Sequence, residues 1–186
     1  MGFQVNIPWN KYGIIVQLSQ RLAGVSPQFG KTALQKMVYL LTQVYNVPTG
    51  YEHTLYTYGP YSADLTTDVD YVAAFKGVVL KEVARGGYEI VLGENAQTIL
   101  NESAEFLGIF AEEIDSIVQH FGSFSARELE LRSTLIYLAK NQKLARAELC
   151  KQLISIKPYF QVAEVDEAIE ELSVQCFITF NNTGLS

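Results

Sequence analysis

The side chains most often used in catalysis and metal binding are sparse in this chain. His53 and His120 are the only histidines, and neither has a cysteine or carboxylate at the spacing of a metal-binding motif. The segment Gly24–Thr32 ends in Gly-Lys-Thr like a phosphate-binding loop, but it is one residue too long for that motif and joins two predicted helices. We therefore predict that the protein is not an enzyme, has no catalytic residue and uses neither a metal nor a cofactor.

A tyrosine-rich segment around Gly59 and Pro60 is the strongest anomaly in the composition. Its tyrosines are Tyr51, Tyr56, Tyr58 and Tyr61. One interpretation is core packing, since buried tyrosines still find hydrogen-bond partners. The other is an aromatic rim that docks a peptide or protein, since tyrosine is enriched in interfaces. Strand alternation would place Tyr56 and Tyr58 on one face. The candidate partner-binding residues are Lys31, Lys36, Tyr58, Gly59, Pro60 and Tyr61.

Two basic residues support an alternative function in DNA binding. Lys81 and Arg85 lie in a predicted hairpin that corresponds to the wing of a winged-helix domain, where they would contact the phosphate backbone. The helix that would enter the major groove, residues 63–76, carries three aspartates against one lysine. These carboxylates would repel phosphates, so DNA binding through this helix is disfavoured.

The first half of the chain is predicted to follow the order helix, helix, short strand, helix, hairpin. Apolar residues recur at helical spacing in each helix, and β-branched and aromatic residues mark the strands. The predicted ranges are helices over 11–23, 30–46 and 62–75, a strand over 53–58 that ends at Gly59, and hairpin strands over 78–83 and 88–92. Ser62 is the predicted N-cap of the third helix. This order predicts a winged-helix-like module over residues 1–93.

The second half is predicted to be a helical bundle over residues 94–186. Its helices span 95–121 with a break near Asn101, 126–141 behind a capping box that begins at Ser125, 145–156 and 163–175. Residues 177–180 are predicted as an edge strand, and Cys150 and Cys176 as small buried side chains. Together the two halves predict a mostly helical α+β protein, in which both modules form one compact unit.

Charge is distributed unevenly between the two halves. The chain of 186 residues has a formal charge of −6, with a net charge of +1 over residues 1–93 and −7 over residues 94–186. A general nucleic-acid coat protein would need a positive net charge, so that class is excluded. The N-terminal segment lacks the pattern of a signal peptide, and no apolar run is long enough to span a bilayer, which predicts a cytoplasmic protein.

Four segments carry a resemblance to a known family. Lys31–Leu40, with its Lys-x-x-Leu-Gln-Lys helix, and Tyr56–Leu65, with its Tyr-Gly-Pro-Tyr-Ser junction, resemble the YwgA-like family of bacterial proteins. Ser125–Leu131 and Ile156–Phe160 look like the C-terminal helices of that family. The first two segments are also similar, more distantly, to Panacea-type antitoxin domains and to the C-terminal domain of macrodomain antitoxins.

The resemblance implies a winged-helix-like first half, a helical second half and no catalytic residues. The related antitoxin domains act by binding a protein toxin, although this chain carries no macrodomain. The expected function is therefore a non-enzymatic protein-binding module, a regulator or antitoxin-like partner in a bacterial cytoplasm. The alternative is a winged-helix transcription regulator that uses Lys81 and Arg85. A homodimer is compatible with this alternative.

Overall fold

A computed structural model describes residues 7–84 and 86–180. Within these residues the chain forms nine α-helices and two small antiparallel sheets of two strands each. This confirms the predicted mostly helical α+β fold. The winged-helix arrangement of the first half and the division at residue 93 stay predictions.

The first half contains α1 (Trp9–Leu22), α2 (Lys31–Gln43), β1 (Thr54–Tyr56), β2 (Gly59–Tyr61), α3 (Ala63–Ala74), β3 (Val78–Glu82) and β4 (Tyr88–Leu92). The β3–β4 hairpin and the Ser62 N-cap of α3 are confirmed, the Ser62 hydroxyl accepting a hydrogen bond from the Leu65 N–H. The Ile90 N–H donates to the Phe29 carbonyl at 2.7 Å, which ties this hairpin to the loop before α2.

The predicted single strand over 53–58 is wrong in its extent. The chain reverses after Tyr58, and β1 and β2 form a tight hairpin in which Tyr56 pairs with Gly59 and Thr54 with Tyr61. Gly59 makes the reversal possible because its φ of +87° lies in the left-handed region that glycine adopts without a steric penalty. Pro60 lies in a strand of a two-stranded sheet, where its missing N–H is tolerated at an edge.

The second half contains α4 (Ala96–Glu102), α5 (Ala104–Ile109), α6 (Ala111–Phe121), α7 (Ala126–Asn141), α8 (Arg146–Ile156) and α9 (Val162–Val174). The predicted break near Asn101 is confirmed between α4 and α5. The capping box is also confirmed: Ser125 accepts from the Glu128 N–H while the Glu128 carboxylate accepts from the Ser125 N–H.

Residues 177–180 do not form the predicted edge strand, because their backbone donors close the end of α9. The N–H groups of Phe177 and Cys176 donate to the carbonyls of Leu172 and Ser173, the pattern of a Schellman motif. Cys176 occupies the left-handed position of that motif at φ +59°. It is exposed, so its predicted burial is wrong, whereas the predicted burial of Cys150 is confirmed.

Helices α2 and α7 lie at the centre of the fold. The buried apolar side chains of both halves form one continuous cluster, and α7 packs against both α2 and β2. Nearly every residue of α2 from Ala33 to Leu41 is buried. The β1–β2 hairpin therefore rests on the two central helices. No helix among the described residues has the length and apolar composition needed to cross a bilayer.

Candidate binding groove

The β1–β2 hairpin presents exposed aromatic side chains. Tyr56 and Tyr58 are 66% and 64% exposed, while Tyr61 is half-buried. The rings of Tyr56 and Tyr61 stack at 5.7 Å between centroids, and the Tyr61 hydroxyl accepts a hydrogen bond from the Thr66 hydroxyl. Tyr51, by contrast, is buried and hydrogen-bonded to Asp68. Core packing therefore describes Tyr51, whereas an exposed aromatic rim describes Tyr56 and Tyr58.

Gly59 and Pro60, two of the predicted partner-binding residues, are buried beneath this aromatic surface. A Cβ atom added to Gly59 would lie 3.1 Å from the Thr134 hydroxyl and 3.2 Å from Cε of Lys36. Glycine is required here both by the positive φ and by the close approach of α2 and α7. These two residues shape the hairpin, and their predicted part in partner binding stays a prediction.

Three buried charged side chains lie under the hairpin. Lys36 is 2% exposed, and Glu130 and Lys157 are similarly buried. The Lys157 ammonium lies 2.6 Å from Oε1 of Glu130 and also donates to the Thr57 carbonyl. The Tyr159 hydroxyl donates to the same Glu130 oxygen, and burial and this hydrogen bond raise the pKa of Tyr159. This buried group therefore holds two ammonium groups and one carboxylate, and the carboxylate pairs with Lys157.

Lys36 is the less compensated of the two lysines. Within the described residues, the Lys36 ammonium donates one hydrogen bond, to the Pro60 carbonyl at 2.8 Å, and it forms no ion pair. The pKa of Lys36 falls to about 8, chiefly because of burial; Glu130 opposes this decrease and Lys157 adds to it. Lys36 is thus a buried cation with unused donors, and it lines a cavity on the hairpin side.

That cavity has a volume of about 310 Å³ and mostly apolar walls. Tyr56, Tyr58 and Tyr61 form its aromatic side, and Lys31 and Lys36 come from α2. The sequence-based expectation that these lysines lie near the tyrosine junction agrees with this arrangement. Lys31 is partly exposed and lies 2.8 Å from Asp70 of α3.

A second cavity of about 460 Å³ adjoins the first and shares Lys31 and Thr32 with it. Its other walls come from β4 and from the start of α7, including Tyr88 and Arg127. Arg127 lies 2.5 Å from Glu164 and packs over the Phe160 ring. We call the two cavities together the tyrosine groove. Among the described residues, the charged side chains that line it are Lys31, Lys36 and Arg127, and no carboxylate does so.

The predicted site residues do not include Arg127 of the groove. They also do not include Glu130, Lys157 and Tyr159, which are hydrogen-bonded to one another below the hairpin. Arg127 is visible in the sequence only as part of a capping box. Glu130, Lys157 and Tyr159 lie more than 90 residues from Lys36, so no local sequence pattern links them to it. Pairs so distant in sequence leave no periodic or spacing signal. All four residues lie in Ser125–Leu131 and Ile156–Phe160, the two segments that look like the C-terminal helices of the YwgA-like family.

The residues of the alternative DNA-binding surface are not part of this groove. Lys81 is exposed on β3, and Arg85 lies outside the described residues. Asp64 and Asp70 are exposed on α3, so the aspartates that disfavour phosphate contact face solvent.

The two histidines have different surroundings. His120 is hydrogen-bonded to the Ser116 carbonyl and the Tyr45 hydroxyl. His53 is mostly buried, and its Nε2 has no hydrogen-bond partner within residues 7–84 and 86–180. Burial, and then the positive charge of Lys36, lower the pKa of His53 to about 4. Across the same residues, no three histidine, cysteine or acidic side chains are grouped so that they could hold a metal.

Comparison with known proteins gives one relative of similar length. The chain is similar to the uncharacterised protein YwgA of Bacillus subtilis. The two sequences are 29% identical over 153 residues, which cover 79% of this chain and 89% of YwgA. No family model matches the chain. The likeness to YwgA supports the YwgA-like resemblance read from the four sequence segments, and its extent shows that it is not confined to a single motif.

Proposed function

We propose that the protein is a non-enzymatic protein-binding module whose docking surface is the tyrosine groove. The observation that carries the proposal is the pair of exposed tyrosines, Tyr56 and Tyr58, beside an apolar cavity of about 310 Å³. Large aromatic side chains beside a pocket are typical of the residues that dominate binding energy in protein interfaces. The distant resemblance to antitoxin domains supports a protein partner, in the manner of a regulator acting in a bacterial cytoplasm.

The attachment of the hairpin favours binding. The carbonyls of Thr57 and Pro60, on either side of Tyr58, accept hydrogen bonds from the buried ammonium groups of Lys157 and Lys36. The backbone that carries the exposed tyrosines is therefore fixed from below. A surface fixed before association loses less conformational entropy when a partner binds, which increases affinity for a given contact area.

The alternative function, a winged-helix DNA-binding regulator, has less support. A recognition helix must approach phosphates, and the exposed carboxylates of α3 oppose this approach. In our proposal, the β3–β4 hairpin, which is the candidate wing, forms one wall of the tyrosine groove and does not contact DNA.

Site-specific photo-crosslinking tests the proposal. A benzophenone amino acid is placed at position 58 and, as a control, at position 174, because Val174 is also highly exposed but lies on α9 away from the groove lining. We expect a protein that is captured from cells of the native host at position 58 and not at position 174. Identical capture patterns from both positions would contradict the proposal.

Quantitative binding then tests whether the captured protein uses the groove. With the purified partner, Tyr58→Ser should raise the dissociation constant by about tenfold or more, as expected for a residue that dominates an interface. Tyr71→Ser removes a tyrosine of similar exposure from α3 and should leave the constant unchanged. Random duplex DNA is measured in parallel by fluorescence anisotropy. Salt-sensitive DNA binding that is lost in Lys81→Gln would support the DNA-binding alternative instead.

A further inference from the structure

We infer that the occupant of the tyrosine groove is an extended peptide segment of a partner protein that places an apolar or aromatic side chain between the tyrosines and a carboxylate next to it, against Lys31 and Lys36. This inference rests on the proposed function, whose binding surface it keeps, and it adds the chemistry of what binds there.

The first argument is the sign of the charge in the groove. The chain has a formal charge of −6, yet the charged residues that line both cavities within the described part of the chain are Lys31, Lys36 and Arg127. Lys31 and Arg127 also pair with Asp70 and Glu164, but these carboxylates do not belong to the linings of the two cavities. The linings are therefore complementary to an anionic partner, and such complementarity governs which partners associate. An acidic segment fits this groove, and a basic one does not.

The second argument is the buried excess of positive charge behind the tyrosines. Lys36, Lys157 and Glu130 are all buried, and the ion pair of Glu130 is with Lys157. An uncompensated buried cation is unfavourable unless an anion approaches it. Because Lys36 lines the apolar cavity and has donors to spare, a carboxylate entering the cavity would supply the missing countercharge.

The third argument is the shape of the groove. The two cavities share Lys31 and Thr32 in their linings, so they are neighbours, one beside the tyrosines and the other beside Arg127. Two neighbouring, solvent-open cavities suit an extended chain that places successive side chains in them. The mostly apolar tyrosine end takes the apolar side chain, and the lysines and Arg127 take carboxylates.

The test begins with a phage library of random short peptides selected on the full-length protein. We expect selected peptides to share an acidic residue beside an aromatic or large aliphatic one. One such peptide is then labelled with fluorescein and titrated by anisotropy, together with a matched peptide in which each Asp or Glu is replaced by its amide. The amide peptide should bind about tenfold more weakly, which corresponds to the loss of a charged hydrogen bond.

Protein variants locate the carboxylate site. Lys31→Gln and Arg127→Gln should each weaken the acidic peptide but not the amide peptide. Lys143→Gln removes the same charge from an exposed lysine outside the groove lining and should leave both affinities unchanged. These substitutions affect partly exposed side chains, so folding is preserved and is checked by thermal unfolding.

The possible results separate the two proposals. Selected peptides that depend on Tyr58 but not on acidic residues or Lys31 would overturn the carboxylate inference and leave the docking surface intact. Selected peptides that bind equally well to Tyr58→Ser would overturn the docking surface itself. Tighter binding of a fluorescein-labelled single-stranded oligothymidylate, lost in both Tyr58→Ser and Lys31→Gln, would assign the groove to nucleic acid and overturn the peptide inference.

Discussion

The buried ammonium of Lys36 donates a hydrogen bond to the Pro60 carbonyl at 2.8 Å, directly below the aromatic surface of the β1–β2 hairpin. Lys36 comes from the most buried helix of the fold, and Pro60 from a strand of only three residues. Such a short hairpin is not stable alone, because two strands need further packing to persist in water. Its shape therefore depends on side chains of α2 and α7, and mutations there test the site.

Gly59→Ala should destabilise the protein by about 1–3 kcal/mol, because it combines a left-handed backbone with a crowded Cβ position. Gly24→Ala is the matched control, since Gly24 also has a positive φ but has no atom within 4 Å of the added Cβ. The difference in the free energy of unfolding between the two variants, measured in urea, reports the packing against Thr134 and Lys36. Equal losses would show that the backbone alone requires glycine.

Removal of the two buried lysines should have unequal effects. Lys157→Met leaves Glu130 buried without its ion-pair partner, which is expected to cost about 3–5 kcal/mol. Lys36→Met removes the less compensated cation and should cost at least about 2 kcal/mol less than that. Urea unfolding of both variants at neutral pH makes the comparison. A loss in Lys36→Met as large as in Lys157→Met would show that Lys36 is fully compensated.

His53 should make the protein less stable in acid. The folded-state pKa of His53 is about 4, below the value of about 6.5 expected in the unfolded chain. The unfolded chain therefore takes up the proton first, and stability falls as the pH is lowered from about 6.5 to about 4, by up to about 3 kcal/mol. The free energy of unfolding is measured across this range for the wild type and His53→Asn, in which the pH dependence should be reduced by that amount. An unchanged pH dependence would contradict the assignment.

Cys176→Gly should stabilise the protein by up to about 1 kcal/mol, because glycine adopts the left-handed position of the Schellman motif without strain. Cys176→Ala removes the same thiol but keeps a Cβ, and it is expected to leave the stability close to that of the wild type. Thermal unfolding of the three proteins separates the backbone effect from the loss of sulfur. Equal melting temperatures for the glycine and alanine variants would argue against it.

The helices were predictable because their signals are local. Apolar spacing located α1, α2 and α3, and the capping box at Ser125 fixed the start of α7. For the β1–β2 hairpin, the sequence predicted a strand but not its reversal. Aromatic and β-branched residues are typical of one strand or two, and the reversal depends on the φ of a single glycine. The Schellman motif at Cys176 was missed because a cysteine occupies the position that glycine usually marks.

The candidate site was predicted in part for the same reason. Its tyrosines stand close together in the sequence and were visible as a compositional anomaly, whereas the lysines of α2 were included on the hypothesis that they lie near this segment. Their division into exposed and buried residues was not visible, because it depends on where α7 packs. The ion pair of Glu130 with Lys157 joins segments that only the tertiary fold brings to the hairpin.

The hydrogen bond from Lys157 to the Thr57 carbonyl spans 100 residues of the chain. During synthesis, the hairpin emerges from the ribosome long before the lysine that fixes its tip. The contacts that hold this hairpin from below are complete only after α7 and the residues that follow α8 have been translated and packed. We expect a chain that stops before Lys157 to lack this support for the tip of the hairpin.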